Sequence, residues 1–212
     1  MISDSGKWPP PRCETGWSRT VLRLRNVVVD PSNAALYHHG RHVPEGALYR
    51  NGSIYRGNAA QAPSAVNRTQ GRHLWGGPLF SHFGHFLTES LSRLWAVRDS
   101  GVQSIVFSPK DPGRKRQDRL PDHQDLLLKC LHIDLPVRIV HEPEEFEDLL
   151  IAGPGFGLGP MAAGTPEFRE FLRAIAVPSD MTGRKRLYLS RSALPEKAGS
   201  ILAERHLEQL LE

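Results

Sequence analysis

From residue 80 onward, amphipathic helical patterns alternate with short apolar strands, and this order limits the fold more than any other feature. Strands are read at Ser104–Phe107, Val137–Val140, Phe146–Ala152 and Arg186–Ser190. Before, between and after them lie helical patterns at 82–99, Asp122–Leu131, Pro166–Val177 and Ile201–Leu211. Apolar residues at three- and four-residue spacing mark the helices, and compact β-branched runs mark the strands. Strands joined through helices pair in parallel, so the pattern predicts an α/β fold with a mostly parallel sheet. The N-terminal third reads as a β-meander. Val21–Asp30 is a strand ended by Asp30-Pro31, and Ala35–Tyr37 and Gly46–Tyr49 are short strands around the turn at His39-Gly40-Arg41. Residues 50–71 are rich in Asn, Gly, Ser, Ala and Gln and read as loop. His73–Phe80 begins as a strand and breaks at Gly76-Gly77-Pro78. The first twenty residues, with Trp8 followed by three prolines, read as an extended or disordered arm.

The chain has 212 residues, enough for one generous domain or two small ones. Hydrophobic residues are 39% and charged residues 24%, which excludes collagen-like, coiled-coil and disulfide-scaffold classes. No apolar run reaches the roughly 20 residues of a membrane helix. The opening residues lack an apolar h-region, so no cleavable signal peptide is expected. Cys13 and Cys130 match no metal or redox spacing, and a reducing compartment is the simpler reading. The net charge of +4 is modest. It fits an ordinary basic surface, an anionic small molecule, nucleic acid or an anionic membrane surface. The clusters Arg114-Lys115-Arg116 and Arg184-Lys185-Arg186 are not interleaved with aromatic residues, so no nucleic-acid partner is expected.

The segment Ser81–Trp95, SHFGHFLTESLSRLW, carries the densest chemistry. With Ser81 as N-cap and Gly101 as the stop, about 100° per residue places His82, His85, Glu89 and Arg93 within roughly 80° of one another. Phe83, Leu87, Leu91 and Leu94 take the opposite side. A helix N-terminus favours neutral imidazole, which can act as a general base. Glu89, one turn on, would hold the tautomer of His85, and Arg93 would pair with Glu89 or with a substrate anion. A polar helix face with an ordinary ion pair has the same pattern. So does a metal site using His82, His85 and Glu89, although the histidine spacing differs from that of zinc-protease helices. The run GPGFGLGP at Gly153–Pro160 lacks the third glycine of a dinucleotide fingerprint, which favours a plain loop over a phosphate cradle.

Three blocks together resemble glycosyltransferase family 61, whose bacterial members are often described as capsular polysaccharide biosynthesis proteins. The first is HFGHFLTESLSRLWAV, the second RKRLYLSRSAL and the third ILAERHLEQLL. In the first, His85, Glu89 and Arg93 match the family's His, acidic residue and Arg at successive turns. In the second, Ser190-Arg191 matches the end of a strand. In the third, Ala203-Glu204 stands where Asn-Glu is usual. The resemblance implies a GT-B-like, inverting transferase with two Rossmann-like domains. It implies a nucleotide-sugar donor held by the C-terminal domain, a glycan or glycoconjugate acceptor on the N-terminal domain, and no metal cofactor. His85 would be the base and Glu89 its orienting partner or substitute. Arg93 and Arg191 would bind acceptor or diphosphate, and His82 the acceptor. The location implied is cytoplasmic, with peripheral contact to the inner membrane surface allowed. The expected domains are an arm over 1–20, an acceptor-side α/β domain over 21–180, and a linker with the first strand and helix of a donor-side domain over 181–212. That last piece is too short for its own core, so a C-terminally truncated member is expected. A non-catalytic glycan-binding module and a metal-dependent hydrolase stand beside this reading.

Overall fold

The computed structural model describes residues 12–98, 100–113, 116, 118–157, 164–173, 175, 190, 192–193 and 204–211. The chain divides into two compact units, Met1–Ala176 and Val177–Glu212.

The first unit is built on a seven-stranded mixed sheet. Its strands are β1 (Val21–Asp30), β2 (Ala35–His38), β3 (Arg41–His42), β6 (Asn67–Leu79), β7 (Ser104–Pro109), β8 (Val137–Ile139) and β9 (Glu144–Ala152), in the order β3-β2-β1-β9-β6-β7-β8. The pairs β9–β6, β6–β7 and β7–β8 are parallel, while β1 joins β9 and β2 antiparallel. Three strands of the parallel half, β7, β8 and β9, come from the alternating region after residue 80, while the fourth, β6, precedes that region. The meander of the N-terminal third adds the antiparallel half. Asp148 on β9 fixes the join: Arg23 of β1 donates to it at 2.7 Å and Arg72 of β6 at 3.0 Å.

Both faces of the sheet are buried, and side chains alternate between two cores. Leu74, Ile105, Phe107, Leu150 and Ala152 meet the helical layer, which supplies Phe86, Leu91, Leu94, Leu128, Phe168 and Phe171. Trp75, Val106, Leu149 and Ile151 pack on the other side with Val27, Val29 and Leu36. The sheet curls enough for Arg138 on β8 to reach Glu144 at the start of β9 at 2.7 Å, although β7 and β6 separate those strands.

Four expectations are corrected. Residues 12–20 are anchored: Cys13–Thr15 forms a 3₁₀ turn and Ser18 N–H donates to Pro154 O at 2.6 Å. Residues 50–71 are not all loop. A separate hairpin pairs β4 (Leu48–Arg50) with β5 (Ser53–Arg56), and β6 has already begun at Asn67. The Asn51-Gly52 turn has positive φ at both positions, the geometry that a two-residue hairpin loop requires. Strand β6 runs through Gly76-Gly77-Pro78 to Leu79, absorbing an irregularity between Trp75 and Gly77 as a bulge. The long helix is composite. A single α-turn, α1 (Phe83–His85), leads into a π segment (Phe86–Ser90) and a 3₁₀ segment (Leu91–Val97), and no side chain caps its start.

Helices α2 (Asp122–Cys130) and α3 (Pro166–Arg173) lie within the predicted ranges. In the second unit, α4 (Glu204–Leu211) is described, with the Ser190 and Ser192 hydroxyls donating to the Glu208 carboxylate. The linker over 178–185, the strand over 186–189, the cluster Arg184-Lys185-Arg186 and Arg191 lie outside the described residues, as do Arg114 and Lys115.

Gly76 marks a close approach between β6 and the core side chain of β7. A Cβ there would stand 2.4 Å from the Phe107 ring. Gly76→Ala is expected to lower unfolding free energy in urea by about 1–3 kcal/mol. Adding Phe107→Leu should return part of that loss. An unchanged urea midpoint for the single variant would contradict this packing.

Candidate functional site

The carboxyl ends of parallel strands are where open α/β sheets leave room for ligands. Strand β6 ends at Leu79 and delivers Phe80, Ser81 and His82 to α1, and β7 ends beside it and delivers Lys110. The turn after β6 is held from three sides. Ser90 Oγ accepts the Phe80 N–H and donates to Pro78 O, both at 3.0 Å, and Gln124 of α2 donates to Phe80 O at 2.8 Å. Lys110 N–H donates to Leu79 O at 3.2 Å.

His85 and Glu89 meet on this lip. His85 Nδ1 lies 2.8 Å from Glu89 Oε2, and the Glu89 side chain has no solvent exposure while His85 keeps 39%. The hairpin supplies the third member. Arg50 donates through Nε to Glu89 Oε1 at 2.7 Å and through Nη2 to Oε2 at 2.6 Å, a bidentate pair. Glu89 pushes the Arg50 guanidinium above its ordinary value through these hydrogen bonds, with burial opposing. Arg50 Nη2 also stands 3.4 Å from His85 Nδ1. A guanidinium only donates, so a proton on Nδ1 must go to the carboxylate. The alternative tautomer would face its Nδ1 lone pair against the Glu89 oxygen at 2.8 Å. In its neutral form His85 thus carries its proton on Nδ1 and presents Nε2 as an acceptor.

Aromatic rings complete the surroundings. Arg50 lies 3.6 Å over the Tyr55 ring. Phe80 stacks on His85 with centroids 5.3 Å apart, and Lys110 Nζ lies 6.0 Å from the centre of the same ring. His82 is exposed and meets His85 edge-on at 5.4 Å. Arg56 of β5 donates to Lys110 O, a second attachment of the hairpin to the lip.

Arg93 is placed elsewhere. From Leu91 onward the 3₁₀ winding turns about 120° per residue, which carries Arg93 out of the row that holds His85 and Glu89. It is 1% exposed and donates to Glu45 O at 2.9 Å, Ala47 O at 2.6 Å and Ala152 O. The expected Arg93–Glu89 pair and the role in anion binding are therefore corrected: Arg50 takes the carboxylate, and Arg93 anchors the base of the hairpin to the end of β9. Burial pushes its guanidinium down to about 10, opposed by the nearby Cys13 and Tyr49. Phe83, expected on the apolar side, is 54% exposed, and Phe86 is buried in its place.

Among the described residues no three His, Cys, Asp or Glu side chains converge as a metal-binding group, and both oxygens of Glu89 are already engaged. The described part of the glycine-rich run, residues 153–157, serves packing. Gly155 N–H donates to Ser92 O at 2.6 Å, and a Cβ on Gly155 would stand 2.6 Å from Phe168 Cβ. Among the described residues no helix is long and apolar enough to cross a membrane.

The sequence reading brought His82, His85 and Glu89 together and missed Arg50, Tyr55, Phe80 and Lys110. Asn51-Gly52 between Leu-Tyr-Arg and Ser-Ile-Tyr-Arg was the available signal for the hairpin. No family model, curated protein or solved structure matches this chain.

Arg93→Met removes a donor from the carbonyls of buried Ala47 and Ala152 and of half-buried Glu45, at roughly 1–3 kcal/mol for each buried one before relaxation. The variant should unfold in urea at a clearly lower midpoint, with a loss of about 3 kcal/mol or more. A midpoint equal to that of the parent would show that Arg93 does not anchor the hairpin.

Proposed function

We propose that this protein is an inverting glycosyltransferase that moves a sugar from a nucleotide-sugar donor to a glycan or glycoconjugate acceptor in surface or capsular polysaccharide assembly. The observation that carries this reading is the half-exposed His85, bonded at Nδ1 to a buried carboxylate at the carboxyl ends of parallel strands. Inverting transfer needs one general base on a rigid lip and no covalent partner on the enzyme. A neutral imidazole with a fixed tautomer supplies that base. The resemblance of the three sequence blocks to glycosyltransferase family 61 supports the same chemistry.

In this mechanism the acceptor hydroxyl gives its proton to His85 Nε2 as its oxygen bonds to the anomeric carbon of the donor. The anomeric carbon–oxygen bond to the diphosphate breaks, and the electron pair leaves with the nucleoside diphosphate. Attack opposite the leaving group inverts the anomeric centre. Glu89 compensates the imidazolium as it forms. His82, beside His85 on the exposed side, contacts the acceptor. The diphosphate is assigned to Arg191 and to a donor-side domain of the GT-B arrangement. No metal is required, because the leaving group is met by cationic side chains. The same reading assigns the protein to the cytoplasm, with peripheral contact to the inner membrane surface allowed.

The test is the full-length gene product against a panel of nucleotide sugars, with products resolved by anomeric configuration. The expected result is transfer with inversion, reduced about 10²–10⁴-fold in kcat by His85→Ala. Glycan binding without turnover, unaffected by His85→Ala, would overturn the enzyme in favour of a glycan-binding module.

A further inference from the structure

The hairpin brings to the site a residue that no sequence block contains. Arg50 spends both donors of its fork on the two oxygens of Glu89, at 2.7 and 2.6 Å, and lies flat on Tyr55 at 3.6 Å. Its position is over-determined. Arg93 holds the hairpin's base through Ala47 O, Trp75 Nε1 donates to Gly46 O at 2.9 Å, and Arg56 fastens the far strand to Lys110 O. This is more fixation than a surface ion pair has, and it converges on one carboxylate.

We propose that Arg50 is the positioning residue of the site: by holding Glu89 as a buried carboxylate aimed at Nδ1, it keeps the proton of His85 on Nδ1 and leaves Nε2 free to accept one. A carboxylate without solvent and without a cation is strongly disfavoured and is relieved by taking up a proton. With Arg50 gone, Glu89 has two ways to be neutralised. It becomes a carboxylic acid, which donates to Nδ1 and moves the imidazole proton to Nε2. Otherwise it draws a full charge onto His85, and imidazolium carries a proton on both nitrogens. Both outcomes protonate Nε2, so both remove the acceptor lone pair. The other groups facing His85 do not replace the lost charge. His82 presents an edge at 5.4 Å, Phe80 is neutral, Tyr55 faces Arg50, and Lys110 lies across the Phe80 ring.

The role of Arg50 deepens the transferase reading, because the lone pair on Nε2 is what that reaction uses. Its test needs no substrate, so it stands apart from whether transfer is found. Imidazole ¹⁵N shifts of the ¹⁵N-histidine-labelled full chain distinguish a protonated from an unprotonated ring nitrogen, and His85→Gln identifies the signals of His85. In the parent protein near neutral pH, Nδ1 should be protonated and Nε2 should carry the lone pair. In Arg50→Met, Nε2 should become protonated in the majority of molecules. Arg50→Lys keeps the charge without the fork and should lie between the two. Parent protein with its neutral proton on Nε2 overturns the proposal by itself, whether or not Arg50→Met folds. A folded Arg50→Met or Arg50→Lys whose Nε2 signal equals that of the parent also overturns it. Where transfer is measured, kcat should fall in step with the protonated fraction while KM for the acceptor stays within about twofold. A fall in activity without a change at Nε2 would mark Arg50 as structural only.

Discussion

Glu89 has no contact with water, so its charge must be met inside the protein. Arg50 meets it on two oxygens and His85 on one, and much of the surrounding architecture keeps those three side chains together. The partners come from distant parts of the chain: one from a small hairpin, two from the irregular helix after β6. A buried pair of this kind is a poor source of net stability, because desolvation offsets most of the attraction. Its presence at the lip of the sheet is better explained by what it does to the imidazole beside it.

The sheet explains why the lip is there. Parallel strands β6 and β7 end side by side, and their carboxyl ends release the chain into α1 and Lys110. Large side chains fill both sheet faces, so the strands cannot slide without exposing one core or the other. The bulge at Gly76-Gly77 lets β6 pass against Phe107 and still reach the turn, which Ser90 and Gln124 then lock. In the helix that follows, α, π and 3₁₀ windings change the angle per residue along its length. That change leaves His85 and Glu89 in contact and sends Arg93 inward, to the base of the hairpin.

Much of this was legible in the amino-acid order. The alternation after residue 80 gives three of the four strands of the parallel half, and the spacing of His85 and Glu89 gives their contact, because four residues bring side chains together in α and nearly so in π winding. Arg93 was misplaced because a single period was applied to a helix with three. Periodicity alone carries no sign of that change, which the packing of Leu91 and Leu94 against the sheet accompanies. The hairpin was hidden by composition. Its strands are three and four residues long, too short for a period to register, and the Asn-Gly turn between them was its only clear mark. Arg50 could not be assigned to Glu89 from the sequence at all, since 39 residues and the elements β5, β6 and α1 separate them.

Arg50 and Glu89 are therefore expected to be coupled energetically across the fold. A double-mutant cycle measures that coupling directly: Arg50→Met, Glu89→Met and the double variant, each unfolded in urea. Each single variant should lose about 3 kcal/mol or more, because each strands a partner. The double variant should lose clearly less than the sum, leaving an interaction of about 1–3 kcal/mol. Losses that simply add would mean that the two residues stabilise the fold independently, and the central claim would fail.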